Sequence, residues 1–483
     1  MNLPLGKRGH WIGGEERPAR SGRSFEVYDP GNGQVLGHAA RGDQADAEAA
    51  VSAATRALCG PWAQTGGWRR GQLLRDLAVL LERDRPHLCR ILSLENGKPL
   101  SLAGHEVDMA IRYCRYYAGF ADRIAGRQIP LDGGHFAFTL REPLGVILLI
   151  TPWNYPLDIL ARGFAPALAA GNTVVTKTAD DTPFIALEVG RQMKEAGFPD
   201  GVFNVVDGLG AEAGAALSAH PGIHGVSFCG SSATGSRVAA AAAANLVPVL
   251  SLELGGKCPC LVLPDADVRK AARGIANGLI YNAGQSCVAR SRFIIPRQHL
   301  TEVESIMHEV LDQVPMGHSQ DNPAMGPIIN RAQLEKVQSY IATALAEGGR
   351  LVVGGPLPAG LPAGHFVRPH VFADLDETMT IVREEVFGPV LAIQTYGEEE
   401  EGIRLANNTP YGLAAELWAA TPARAHGVAR RLNASHITIN SSGGFGIEVP
   451  FGGIGQSGYG REGGEEGLWQ YTRTKSVYMD IEE

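Results

Sequence analysis

From Gly145 onward the chain alternates short apolar runs with helix-patterned stretches, and no other feature restricts its fold as strongly. Val146–Ile150 is followed by a helix pattern from Leu157, Thr173–Lys177 by one from Pro183, 202–206 by one from Glu212, and 225–228 by one from Ser236. Apolar runs of this kind need cover on both faces. The alternation therefore predicts a parallel, doubly wound sheet with helices on each side. Such sheets take ligands at the carboxyl ends of their strands, where a helix N-terminus can face a phosphate. Gly230-Ser231-Ser232-Ala233-Thr234-Gly235 falls between a strand pattern and a helix pattern, in the place such a loop requires. It reads G-x-x-x-x-G rather than G-x-G-x-x-G, so the motif alone says little.

A second α/β unit follows, with a strand pattern at 259–263 and a helix pattern at 268–279. Strand patterns recur at Arg350–Val353, 436–440 and 475–480, separated by Gly/Pro-rich loops at 354–364 and 441–446. Before residue 125 the chain is mostly helical: 44–58, then 69–95 interrupted by Pro86, then 102–124, after a short strand at 25–27. Residues 128–131 and the alternating 135–141, joined by Asp132-Gly133-Gly134, form a hairpin signal. A ribbon between helical regions serves either as a surface hairpin or as a pairing arm.

The chemistry concentrates at Gly284-Gln285-Ser286-Cys287, a Gly-led turn that ends on a cysteine. A thiol attacks a carbonyl well only as thiolate, so Cys287 needs a base or local positive charge; otherwise it is a small buried hydrophobe. Glu253, in Leu252-Glu253-Leu254-Gly255-Gly256-Lys257, offers the base, with a plain strand end as its alternative. Asn154, in the Pro-flanked turn Pro152-Trp153-Asn154-Tyr155-Pro156, can aim an amide N–H at a developing oxyanion.

Together these motifs resemble the NAD(P)-dependent aldehyde dehydrogenase superfamily. Pro-Trp-Asn, Glu-Leu-Gly-Gly-Lys, Gly-Gln-x-Cys, Glu-Glu-Val-Phe-Gly-Pro at 384–389 and Pro-Phe-Gly-Gly at 450–453 occur in that family's order, and the likeness runs from about Trp11 to the C-terminus. The resemblance implies a Rossmann-like cofactor domain (1–124 and 144–253), an α/β catalytic domain (254–456) and a small β oligomerisation arm (125–143 and 457–483). It implies oxidation of an aldehyde with NAD or NADP. Cys287 is then the nucleophile, Glu253 the base for the hydrolytic water, and Asn154 part of the oxyanion hole. Glu462 matches a second acid used by some members as a proton relay, although an ion pair with Arg461 or Lys475 fits it equally.

For the cofactor the resemblance points to Ile150, Thr151, Pro152, Trp153, Lys177, Asp180, Gly208, Gly230, Ser231, Leu254, Glu385 and Phe387. Asp180 favours NAD over NADP by repelling a 2′-phosphate, unless it merely caps the helix near Pro183. The implied aldehyde tunnel is lined by Tyr155, Ile159, Arg162, Tyr281, Ser286, Val288, Phe445 and Phe451. That lining suits an uncharged aldehyde, with Arg162 as the exception that could select a distal carboxylate. Cys229 stands where members often carry Thr, and Gly455 where many carry Lys.

Composition narrows the partners. With 43 Lys+Arg against 51 Asp+Glu, net −8, there is no basic footprint for nucleic acid or an anionic membrane. Seven cysteines without framework spacing fit a reducing compartment, and Cys258-x-Cys260 lacks a second ligand pair, so no metal is expected. The first ten residues show no secretory h-region, which leaves the cytoplasm as the expected location and a homodimer or homotetramer as the expected assembly.

Overall fold

The computed structural model describes residues 5–444 and 446–481. Two sheets organise it. The first has eight strands in the order Gly458–Tyr459, Val249–Glu253, Gly225–Cys229, Val146–Ile150, Thr173–Lys177, Phe203–Val206, His10–Ile12, Glu15–Arg17. Its five central strands are parallel and nearly all their residues are buried, as their unbroken apolar runs require. The chain leaves Val146–Ile150 toward one edge, through Thr173–Lys177 and Phe203–Val206, and then returns to its other side at Gly225–Cys229. This reversal is the topological switch point, where a doubly wound sheet opens a crevice at its carboxyl ends.

The second sheet has seven strands, ordered Arg350–Val353, His370–Ala373, Val390–Tyr396, Arg292–Pro296, Pro259–Val262, Ala414–Trp418, His436–Ile439, all parallel except the first. Four of these, at 292–296, 370–373, 390–396 and 414–418, are not among the strands read from the sequence.

Several boundaries differ from the sequence pattern. The 69–95 stretch is two helices, Gly67–Arg83 and Arg85–Asn96, parted at Asp84; Pro86 opens the second helix, where its missing N–H costs nothing. The 102–124 helix is Leu100–Ala118. The helix expected from Ser236 begins at Ser232, because the Ser231 hydroxyl accepts from the Thr234 N–H and caps it. The helix expected from Glu212 is a π-turn at Gly210–Gly214 and a short helix, Ala215–Ser218.

Gln128–Ile129 and His135–Pro143 pair as a hairpin, and Thr472–Asp480 continues the ribbon antiparallel to the longer strand, from Thr472 opposite Pro143 to Asp480 opposite His135. Gly458–Tyr459 belongs instead to the first sheet, against Leu252 and Glu253. Among the described residues no helix is long and apolar enough to cross a membrane.

Candidate active site

Cys287 follows helix Val268–Ile280 through a turn with three successive left-handed residues: Asn282, Ala283 and Gly284, at φ +48°, +52° and +69°. At Gly284 a Cβ would stand 2.3 Å from the Gly388 carbonyl, so only glycine fits there. Gln285 locks the turn: its Nε2 donates to the Asn282 carbonyl at 3.0 Å, and its Oε1 accepts from the Ile329 N–H at 2.9 Å. The Cys287 carbonyl lies against Gly256, where a Cβ would approach it to 2.5 Å, and accepts from the Cys258 thiol at 3.4 Å. Half-buried Cys287 packs with Val288, Phe451, Leu413 and Ala414.

Asn154 meets this loop directly. Its Nδ2 donates to the Gln285 carbonyl at 3.2 Å, and its own carbonyl accepts from Asn282 Nδ2 at 3.2 Å and Lys98 Nζ at 2.7 Å. Lys98 is buried and ion-paired to Glu106, whose other oxygen accepts the Leu157 and Asp158 N–H groups at 2.7 and 3.1 Å. These belong to the first turn of helix Pro156–Ala170, where a carboxylate is favoured by the helix dipole. Lys98 and Glu106 are absent from the sequence reading. The available signal was an acid in phase with the apolar face Ala103, Val107, Ala110 of its helix, which implies a buried partner.

Glu253 ends its strand with both carboxyl oxygens buried and unpartnered. Burial pushes its carboxyl well above the ordinary range, and the neighbouring Glu462 charge adds to this. Burial also raises the Cys287 thiol, opposed by the positive charge of Arg162 and reinforced by Glu385, Cys258 and Glu253.

Ser227 and Ser251 face each other across two adjacent strands, as do Cys229 and Glu253. Both serine hydroxyls donate to Glu462 Oε1 at 2.8 Å, and Arg162 pairs with Oε2 at 2.6 Å. The cation beside Glu462 is therefore neither Arg461, which donates to the Gly453 and Gly460 carbonyls, nor Lys475, which pairs with Glu142. Arg162 also lies over the Phe451 ring, 5.1 Å from its centroid. A guanidinium held in this way is occupied, which disfavours the distal-carboxylate reading.

Ile159 shares the helix of Arg162, with Tyr155 just before its first residue; Ser286 and Val288 flank Cys287, Tyr281 opens the turn that leads to it, and Phe445 lies outside the described residues. Ile150 to Trp153, Lys177, Gly208, Gly230, Ser231 and Leu254 all end or follow central strands at the carboxyl end of the first sheet, around its switch point. Lys177 is buried and pairs with Asp180 at 2.5 Å, so it is no solvated end charge. Asp180 gives helix Phe184–Glu195 no side-chain cap. Glu385 accepts from the Gly256 N–H at 2.9 Å, and a Cβ on Gly255 would meet its carboxylate at 2.4 Å. Burial pushes Glu385 up to about 7. Phe387, at φ +58°, sets its ring edge-on to Trp153 with centroids 5.3 Å apart. Among the described residues no cluster of three or more His, Cys, Asp or Glu could hold a metal ion.

The turn that ends on Cys287 is thus joined through Gln285 to Asn154, which follows a central strand of the doubly wound sheet at its carboxyl end. The aldehyde dehydrogenase family profile matches residues 17–477. Human mitochondrial aldehyde dehydrogenase is 40% identical over 98% of this chain and 92% of its own. The structure of the NAD+ complex of aldehyde dehydrogenase from Bacillus cereus superposes with a TM-score of 0.96 at 39% identity, covering 99% of this chain and 97% of that one. Betaine aldehyde dehydrogenase from Staphylococcus aureus, solved with NAD+, gives a TM-score of 0.95 at 35% identity, over 98% and 95% of the two chains. The chain belongs to the aldehyde dehydrogenase family.

Proposed function

We propose that this protein oxidises an uncharged aldehyde to its carboxylic acid with NAD, through a thioester on Cys287. The observation that carries the reading is the junction of Asn154 with the nucleophile loop, 3.2 Å from Nδ2 to the Gln285 carbonyl, and it is supported by the buried, unpartnered carboxyl of Glu253. Cys287 Sγ attacks the carbonyl carbon as its proton leaves toward Glu253, whose ionised form accepts it. The oxyanion of the thiohemiacetal is met by Asn154 Nδ2 and the Cys287 N–H.

The residues around the switch point fit a dinucleotide. Gly230, whose N–H donates to the Glu253 carbonyl at 2.9 Å, leads into the Ser231-capped helix, whose first turn offers N–H groups to a pyrophosphate, and Lys177 with Asp180 offers a donor and an acceptor to the adenosine ribose. Glu385, kept clear by Gly255, suits the second ribose. NAD bound there supplies the acceptor for the hydride that leaves the thiohemiacetal carbon. Glu253 first passes the thiol proton onward through Glu462, which is held by two hydroxyls and Arg162; ionised again, it deprotonates the water that cleaves the thioester and releases the Cys287 thiolate.

The ribbon of Gln128–Ile129, His135–Pro143 and Thr472–Asp480 leaves Leu140, Tyr478 and Met479 exposed on its strands, which supports assembly into a homodimer or homotetramer. The cytoplasm is the proposed location, since all seven cysteines are unbridged. The test is NADH formation across a panel of aldehydes. Cys287→Ala should abolish it, together with any ester hydrolysis, while NAD binding persists. Ester hydrolysis surviving in that variant would move the nucleophile to another cysteine.

A further inference from the structure

Arg162 stands on helix Pro156–Ala170, about 9 Å along from its first residue at a rise of ~1.5 Å per residue. That helix opens two residues after Asn154, which is bonded to the nucleophile loop. Arg162 is buried, and its guanidinium meets two residues that are themselves tied together. It lies over the Phe451 ring, 5.1 Å from the centroid, and its Nε is 2.6 Å from Glu462 Oε2. Phe451 and Glu462 form an antiparallel bridge: the Phe451 N–H donates to the Glu462 carbonyl at 2.6 Å, and the Glu462 N–H donates back at 2.7 Å.

The same bridge reaches the two groups that the reaction needs. Phe451 belongs to the apolar cluster against which Cys287 packs. At Gly452, the next residue, a Cβ would stand 2.9 Å from Glu253 Oε1, so that acid lies against the backbone there. The two oxygens of Glu462 are unequal. Oε1 accepts from the Ser227 and Ser251 hydroxyls at 2.8 Å, whereas Oε2 accepts no hydrogen bond, since Arg162 Nε is close without being aligned to donate. Oε2 is therefore balanced by charge and open to a proton. Tyr155, Cys229, Glu253, Cys258 and Glu385 also lie within electrostatic reach of Cys287, and all are acids, thiols or a phenol, so the positive charge among these groups is that of Arg162. Tyr113 and Asp158 face Arg162 as well, and Tyr471 faces Glu462.

We propose that Arg162 and Glu462 form a charge switch for Cys287: while Glu462 is ionised it masks Arg162, and when Glu462 takes up the proton that left Sγ through Glu253, the unmasked guanidinium holds the thiolate. This rests on the functional reading above. The step balances, because the Sγ–H bond breaks, an O–H bond forms at Glu462 Oε2, and the summed charge of these groups is unchanged. Arg162 is a positioning residue here, acting on the thiolate through space and through the state of Glu462.

The test is the rate at which iodoacetamide alkylates Cys287, read by peptide mass across pH without cofactor, so that no turnover is needed. Glu462→Gln keeps an acceptor for the two serines and leaves Arg162 unmasked. Unit charges ~9 Å apart at an effective dielectric of about 20 shift a pKa by about one unit, so the thiolate limb should move about that far to lower pH. The lower nucleophilicity of such a thiolate takes back part of the tenfold gain in its population, leaving alkylation at neutral pH about threefold faster than in the parent. Arg162→Met/Glu462→Gln removes both charges and should return the rate to within about twofold of the parent on the same scale. Both variants lack Glu462, so the difference between them isolates the charge of Arg162. Arg162→Lys/Glu462→Gln keeps that charge and should keep most of the acceleration. Equal rates in Glu462→Gln and Arg162→Met/Glu462→Gln, or a Glu462→Gln thiol that ionises at higher pH than the parent's, would overturn the switch and leave the functional reading standing. A parent protein that oxidises no aldehyde would overturn both.

Discussion

Lys98→Met tests how the fold builds the oxyanion site. Lys98 and Glu106 are each about 1% exposed in their side chains and are paired, so the substitution leaves a buried carboxylate without its cation. Breaking a buried pair from one side costs about 3–5 kcal/mol. Glu106 keeps the Leu157 and Asp158 N–H groups, at 2.7 and 3.1 Å, which argues for the lower end, roughly 3 kcal/mol. Lys98→Met/Glu106→Gln removes both charges and retains an acceptor for those N–H groups, so its loss should be about 1 kcal/mol, the scale of one hydrogen bond. Adding Glu106→Gln to Lys98→Met should therefore recover about 2 kcal/mol, whereas on its own it should cost stability by stranding Lys98, so the two losses are far from additive. A catalytic effect should accompany it, because the Asn154 carbonyl is deprived of the 2.7 Å hydrogen bond that helps fix the turn. Losing an oxyanion donor outright costs about 10²–10³ in kcat, so a displaced one should cost about 10-fold to 100-fold, with little change in KM. Urea unfolding followed by tryptophan fluorescence gives the stability arm, and steady-state NADH formation gives the other. Additive stability losses, or a stable Lys98→Met with parental kcat, would refute the reasoning.

Three further outcomes follow from the site. Glu253 holds its proton in the folded state to a higher pH than in the unfolded chain, so ionising it costs native stability as pH rises through its raised pKa. Glu253→Gln should therefore melt higher than the parent at alkaline pH, with the gap closing toward pH values below the ordinary carboxyl range; a pH-independent gap would contradict this. Glu462→Gln removes the negative charge that helps keep Glu253 protonated, so the acid limb of the kcat profile should move to lower pH. A limb that stays in place would separate the two acids. For the cofactor, charges ~4 Å apart at an effective dielectric of about 20 interact by roughly 4 kcal/mol, but Lys177 already pairs with Asp180, so a preference for NAD over NADP of about tenfold is expected. The ratio of kcat/KM values in the parent and in Asp180→Ser measures it, and a ratio unmoved by the substitution would remove Asp180 from the cofactor site.

What the chain reveals before folding follows the range of the interactions involved. Val146–Ile150 and Thr173–Lys177 are legible because an unbroken apolar run needs only its own composition to show that both faces are covered. The cap at Ser231 was equally local, yet the Ala-rich run behind it set the expected start at Ser236, one turn late. Strand order is not local. The reversal between Phe203–Val206 and Gly225–Cys229, which opens the crevice, depends on which side of Val146–Ile150 the chain returns to. Buried charges are the least legible group. Arg162 reads as a tunnel residue, but its ion pair with Glu462, far along the chain and 2.6 Å away, leaves no mark in the sequence. An acid among apolar neighbours announces that a partner exists without naming it. Cys287, Glu253 and Asn154 stand out through the motifs around them, and the structure adds the left-handed turn at 282–284 and the hydrogen bond from Asn154 to Gln285 that join the Cys287 loop to the Asn154 turn.

The central claim is a covalent acyl group on Cys287 whose release needs Glu253. Mixing Glu253→Gln with NAD and a readily oxidised aldehyde, then quenching in acid for intact-mass and peptide analysis, tests it most directly. The account predicts a single burst of NADH, about one equivalent per active site, very slow turnover afterwards, and the mass of the acyl group on the peptide that carries Cys287. NADH released at the parental rate with no adduct, or an adduct on any of the other six cysteines, would contradict it.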